Sequence, residues 1–96
     1  MRIIVRGPHV RKHWIVLPQI TLRQLAKALG ARIRTQRKAR RISQDALALI
    51  CNIDRSYMGR IERGEVGITV EKLYRIASSL DCDPALLLPP ITEINP

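Results

Sequence analysis

An all-α fold of short helices is what this chain predicts, and three observations carry that reading. Apolar residues between positions 22 and 88 recur at intervals of three and four, the period of a helix face. Side chains able to cap a helix stand immediately ahead of these runs, at Thr21, Ser43, Asp54 and Thr69. The chain of 96 residues suits one domain, with enough core to fold and little surplus for a second core or a deep catalytic cleft.

The elements follow in order. Thr21-Leu22-Arg23-Gln24 has capping-box spacing, so a first helix is expected to begin near Leu22. Leu22, Leu25, Ala26, Leu29, Ile33 and Gln36 continue its periodicity to about Arg40. Gly30 lies inside this run, costs about 1 kcal/mol against alanine and is expected to mark a kink. Ser43 caps a second helix, Gln44 to Cys51, and Asp54 a third, Arg55 to Arg63, which Gly64 ends. Thr69 caps a fourth helix, Val70 to Leu80, with Ile68 and Leu73 spaced as a hydrophobic staple across its start. Asp83-Pro84 opens a short fifth helix through Leu88, because proline at the first helical position loses no needed hydrogen bond. Pro89-Pro90 stops it, and Ile91 to Pro96 is expected to run extended. The domain reading is a basic N-terminal extension over residues 1–20, the helical domain over 21–88 and a tail over 89–96.

Residues Gln44 to Gly64 carry the strongest functional signal. Leu47 and Cys51 are four apart, and Met58 and Ile61 three apart, so two short helices turn their apolar stripes to a shared core. Two helices crossing at about 90 to 120° need a small residue at the crossing and, between them, a turn residue that tolerates positive φ. Ala48 and Asn52 meet those needs. The result is a helix-turn-helix, with Arg55, Ser56, Gly59 and Arg60 left on the outer face of its second helix.

Charge points the same way. Residues 1–44 hold twelve Lys or Arg and no Asp or Glu, whereas the remainder carries −3, for a formal net charge of +9. A solvated face ordinarily mixes signs, whereas an unbroken basic segment suits a polyanion, because Lys and Arg displace condensed counterions from phosphates. No uninterrupted apolar segment suggests a signal peptide or a membrane span, so a cytoplasmic protein is expected. Cys51 and Cys82 are isolated, and His9 and His13 sit beside Pro8 and several cations, so neither a metal site nor any cofactor is expected. The chain has no Gly-rich phosphate loop and no Cys-His-Asn set, and an enzyme is not expected.

From about residue 28 to residue 88 the sequence resembles the five-helix domain of the phage-repressor-like, or XRE, helix-turn-helix family of transcription regulators. The Asp54-Arg55-Ser56-Tyr57 run and the chain's size resemble the controller proteins of restriction-modification systems within it. The resemblance implies base contacts from Arg55, Ser56 and Arg60. It implies phosphate contacts from Gln44, which also buttresses the recognition helix, and a place near the DNA backbone for Tyr57. It further implies an internal salt bridge between Arg37 and Glu62. The segment after the third helix, Glu65-Val66-Gly67, lacks the basic residues or Asn that often clamp phosphate in the family, and leaves the Gly67 backbone N–H for that task. Leu49 and Ile50 stand where polar residues are common, which calls for a cover.

Physical chemistry supports the recognition helix independently. An α-helix fits the major groove, where Arg bonds guanine O6 and N7 together and Ser reaches several bases. Arg55 and Arg60 are therefore the main specificity candidates, with Arg32, Arg34, Lys38, Arg40 and Arg41 assigned to phosphate. Two readings of residues 1–20 stand side by side. The β-branched and aromatic runs around Gly7-Pro8 predict a hairpin covering Leu49 and Ile50, while Arg2, Arg6, Arg11 and Lys12 would suit an arm following a groove. Because one recognition helix reads only a few base pairs, a homodimer on a pseudo-palindromic operator is expected, joined through Leu86, Leu87, Leu88, Ile91 and Ile94. The alternative is an antitoxin that binds a protein toxin as well as its own operator.

Overall fold

The computed structural model describes residues 20–94. Four α-helices, α1 (Leu22–Ala39), α2 (Gln44–Cys51), α3 (Arg55–Glu62) and α4 (Val70–Ser79), are followed by a 3-10 helix, Pro84–Leu87, as the fifth helical element. A single further helical turn, α5 (Ile91–Ile94), closes the described chain. The described residues include no strand. The expected N-terminal hairpin or arm lies outside them.

Each of α1 to α4 starts where a side chain satisfies one of its first free N–H groups. The Thr21 hydroxyl accepts from the Gln24 amide at 3.1 Å while Gln24 Oε1 accepts from the Thr21 amide at 2.9 Å, the reciprocal capping box. Ser43, Asp54 and Thr69 accept from the amides of Ala46, Tyr57 and Lys72 at 3.0, 3.2 and 3.1 Å. Each cap contributes about 0.5–2 kcal/mol.

Behind the caps, Ile33, Leu47, Cys51, Met58, Ile61, Ile76, Leu80 and Leu87 form a fully buried core. Burial of each large aliphatic side chain is worth about 1.5–3 kcal/mol. Ala48 is buried at the crossing, and Asn52 adopts the left-handed conformation at φ 58° and ψ 47°, so the turn is built as the spacing predicts. Ile68 and Leu73 both pack on this core across the start of α4. Leu22 and Leu25, expected on the buried stripe of α1, are instead exposed in its first turns.

Gly30 does not break α1, which runs unbroken from Leu22 to Ala39. Its missing side chain lets the backbones of α1 and α3 touch: a Cβ there would lie 2.7 Å from the Glu62 carbonyl oxygen and closer still to that of Ile61. Close approach, and not bending, is its use.

The C-terminal part departs from expectation. The fifth helix is a 3-10 turn ending at Leu87, and Leu88 is extended at φ −91° and ψ 115°. Pro89 follows it, and a residue before proline is driven out of the α region. Residues Ile91–Ile94 form a helical turn instead of an extended tail, and Ile94 is buried against the domain. Arg32 fastens this turn to α1: its Nη2 meets Glu93 Oε1 at 2.6 Å and its Nη1 donates to the Leu86 carbonyl at 3.3 Å. The Glu93 bond holds the Arg32 guanidinium above its ordinary pKa. Arg32 thus ties α5 to α1. Leu87 and Ile94 leave the set of surface leucines and isoleucines offered to a partner, because the domain's own core takes them, while Leu86, Leu88 and Ile91 remain exposed.

Candidate nucleic-acid interface

The candidate interface is built on α3, and its stability comes from the side of α3 that faces inward. Arg37 of α1 grips Glu62 of α3 with two parallel bonds, Nε to Oε2 at 2.7 Å and Nη2 to Oε1 at 2.9 Å, and donates a third to the Ile42 carbonyl at 2.9 Å. Gln44 of α2 adds Nε2 to Glu62 Oε1 at 3.0 Å. The Glu62 bond raises Arg37 above its ordinary value, so the guanidinium stays charged. With both partners buried, three helices meet in one polar network. The expected Arg37–Glu62 bridge is present, and Gln44 performs the buttressing half of its expected role.

Turned outward, Arg55, Ser56, Gly59 and Arg60 line a shallow cleft of about 330 Å³ with Gln44, Asp45 and Arg63. The Asp54 cap sets where α3 starts, and Gly64, at φ 73°, ends it one residue after Arg63. A second cleft joins Arg34 and Arg63 to the Arg37–Glu62–Gln44 network. On the far side of α3, the Tyr57 hydroxyl donates to the Gly67 carbonyl at 3.4 Å, and the Lys72 ammonium lies 5.2 Å from the centre of the Tyr57 ring. Tyr57 and Gly67 are thereby brought together, with a cation beside them. Arg41, at φ 56°, sits exposed in the turn that leads to the Ser43 cap.

Arg40 is placed elsewhere. Its Nη1 donates to Gln36 Oε1 at 2.6 Å, one helical turn back, and its charge acts on the Cys82 thiol beyond α4. Arg40, like Arg41, is outside the residues that line the cleft. Burial pushes the Cys51 thiol above its usual value, as suits a packed apolar residue. Leu49 and Ile50 are 81% and 57% exposed among the described residues. No group of His, Cys, Asp or Glu among these residues is arranged to hold a metal ion, and no described helix is long and apolar enough to cross a membrane.

Sequence reasoning missed Arg63, Asp45, Glu65 and Lys72. Arg63 falls on the Ser56–Arg60 face at the next i+3 step, a signal that was available. The two carboxylates pair with the outer arginines: Asp45 with Arg55 at 3.3 Å, and Glu65 with Arg60 at 3.7 Å and Arg63 at 2.7 Å. The Arg63 hydrogen bond, helped by the Arg60 charge, holds Glu65 below the usual carboxylate range.

Known proteins resemble this chain in sequence and fold. Residues 33–87 match the helix-turn-helix family model HTH_3. The control protein C.SmaI of Serratia marcescens is 30% identical over 69 residues, 72% of this chain and 82% of that protein. The restriction-modification controller protein C.AhdI of Aeromonas hydrophila superposes with a TM-score of 0.64 at 35% identity, over 66% of this chain and 96% of that one. The clp gene regulator ClgR of Corynebacterium glutamicum reaches a TM-score of 0.65 at 26% identity, over 80% of this chain and 76% of its own. Fold, motif and these likenesses agree: the chain belongs to the phage-repressor-like (XRE) helix-turn-helix family of DNA-binding transcription regulators, which are not enzymes.

Proposed function

We propose that this chain is a sequence-specific regulator that binds a pseudo-palindromic operator as a homodimer, as a controller of the kind to which C.SmaI and C.AhdI belong. The observation that carries the reading is the outer face of α3, where Arg55, Ser56 and Arg60 project from a helix whose inner side is locked by Arg37, Glu62 and Gln44. A rigid helix with two outward arginines suits the major groove, where each arginine bonds guanine O6 and N7. Gln44 lines that face and serves the phosphates with Arg41, Tyr57 and the Gly67 backbone N–H, joined by Arg34, Arg63 and Lys72. Leu86, Leu88 and Ile91 supply the dimer contact on exposed apolar surface next to the Arg32–Glu93 tie.

Selection of bound duplexes from a random pool tests the reading, with two half-sites about 34 to 36 Å apart as the expected outcome. On the selected operator, Arg55→Ala or Arg60→Ala is expected to cost about 1–3 kcal/mol, and much less on random DNA. Equal losses on both DNAs would move these residues to phosphate. A second protein purifying with the chain in fixed stoichiometry, seated on Leu49 and Ile50, would select the antitoxin reading instead.

A further inference from the structure

Two carboxylates stand on the face proposed to meet a polyanion, and stability accounts for them only in part, through the place of Asp45 in the first turn of α2. Asp45 and Glu65 are well exposed, as are Arg55, Arg60 and Arg63, and exposed ion pairs contribute little to folding. Next to phosphate, each carboxylate also works against binding. Asp54, by contrast, earns its place as the cap of α3.

The geometry of the pairs is selective. Asp45 comes nearest to Arg55 at Nε, 3.3 Å away, and Glu65 comes nearest to Arg60 at Nε, 3.7 Å away, whereas Arg63 takes Glu65 through both Nε and Nη2. Arginine forms its paired bonds to guanine O6 and N7 with its forked donors, and a carboxylate at Nε leaves the terminal Nη1 and Nη2 groups available for that fork. The carboxylates also come from the two sides of α3: Asp45 from the first turn of α2, and Glu65 from the loop after α3. Each thus restrains a long, flexible side chain from a separate element.

We propose that Asp45 and Glu65 are specificity-determining positioning residues, which hold Arg55 and Arg60 by Nε so that their terminal nitrogens face guanine. The inference rests on the reading of α3 as the recognition helix. On the operator the pairs are kept, because the fork reaches the base while Nε stays with its carboxylate. On unrelated sequence the arginines turn to phosphates, the pairs break and the carboxylates are left beside like charge. The two residues therefore penalise the wrong DNA more than the right one.

The experiment compares Asp45→Asn, Glu65→Gln and the double variant with the wild-type chain, by affinity for the selected operator and for a random duplex across salt, and by a repeated random-pool selection. Melting curves check that each variant is folded. The double variant is expected to bind random duplex about tenfold more tightly, with a steeper salt slope, and operator within about twofold of wild type. Its repeated selection is expected to relax the preference for guanine at the positions that Arg55→Ala and Arg60→Ala also relax. Equal gains on both DNAs with an unchanged base preference would overturn the proposal, leaving the carboxylates as bulk charge. So would a loss confined to cytosine positions, which would make them direct base readers. If Arg55→Ala and Arg60→Ala themselves leave the preference intact, the recognition reading falls; if they relax it and the carboxylate variants do not, only this inference falls.

Discussion

The two sides of α3 use the same chemical partners to opposite ends. Inward, Arg37 and Glu62 are buried, doubly bonded and shared with Gln44. Outward, Arg55 and Arg60 meet Asp45 and Glu65 in open solvent through single, longer contacts, and even the doubly bonded Arg63–Glu65 pair is exposed. Burial decides the difference. A guanidinium removed from water has to keep its carboxylate, whereas one in water can exchange it for a base or a phosphate at little cost. The inner pair holds the helix still, and the outer pairs leave the proposed DNA-contacting groups in reach of a new partner.

Glu62→Ala is the strongest way to break this contrast. It strands the buried Arg37 charge and the Gln44 amide, so a loss of about 3–5 kcal/mol is expected, lowering the melting temperature by more than about 10 °C before any DNA is added. An unchanged melting curve would mean that the inner and outer pairs are alike. The joint replacement Arg37→Met with Glu62→Met sharpens the point, because removing both charges is expected to recover most of that stability. Next comes Gly30→Ala, which forces a Cβ against the Ile61 and Glu62 carbonyls and is expected to cost about 1–3 kcal/mol by thermal melting. A neutral result there would mean that α1 and α3 separate freely.

Glu93→Ala removes a half-exposed partner of Arg32 and lies between the two extremes; a drop of about 4 °C or less is expected, with α5 loosened in hydrogen exchange. The smallest effect on folding is expected from Arg63→Ala, with a melting temperature within about 2 °C of wild type. On DNA the same variant is expected to weaken operator and random duplex alike and to lower the log-log salt slope by about 0.9, the signature of one lost phosphate contact. A loss on the operator alone would promote Arg63 to a base reader.

What could be read in advance was what is encoded over a few residues. The caps at Thr21, Ser43, Asp54 and Thr69 act on amides three positions away, and Asn52 carries its own turn preference, so helix starts and the helix-turn-helix were legible. The Arg37–Glu62 bridge spans 25 positions and came from family resemblance, not from spacing. Arginine destinations were the least legible part. Arg32 finds Glu93 61 positions away, and Arg40 turns back to Gln36, so two cations of the same basic run have partners within the protein that the run itself did not announce. The three leucines after Ala85 illustrate the same limit. Only the 3-10 geometry, cut short by Pro89, sends Leu87 inward and its neighbours outward. The outer carboxylates escaped notice because a basic face draws attention to its cations.

The contact at Gly30 has a consequence for the nucleic acid. Where two helices are separated by side chains, rotamer changes let one tilt against the other; where backbone rests on backbone, no such play exists. The recognition helix therefore keeps a set angle to the rest of the domain, and a duplex that does not match it has to bend, twist or open a groove to fit. Such deformation costs differ from one base step to the next, so sequence is expected to matter at operator positions that no side chain touches, most at the flexible pyrimidine–purine steps between half-sites.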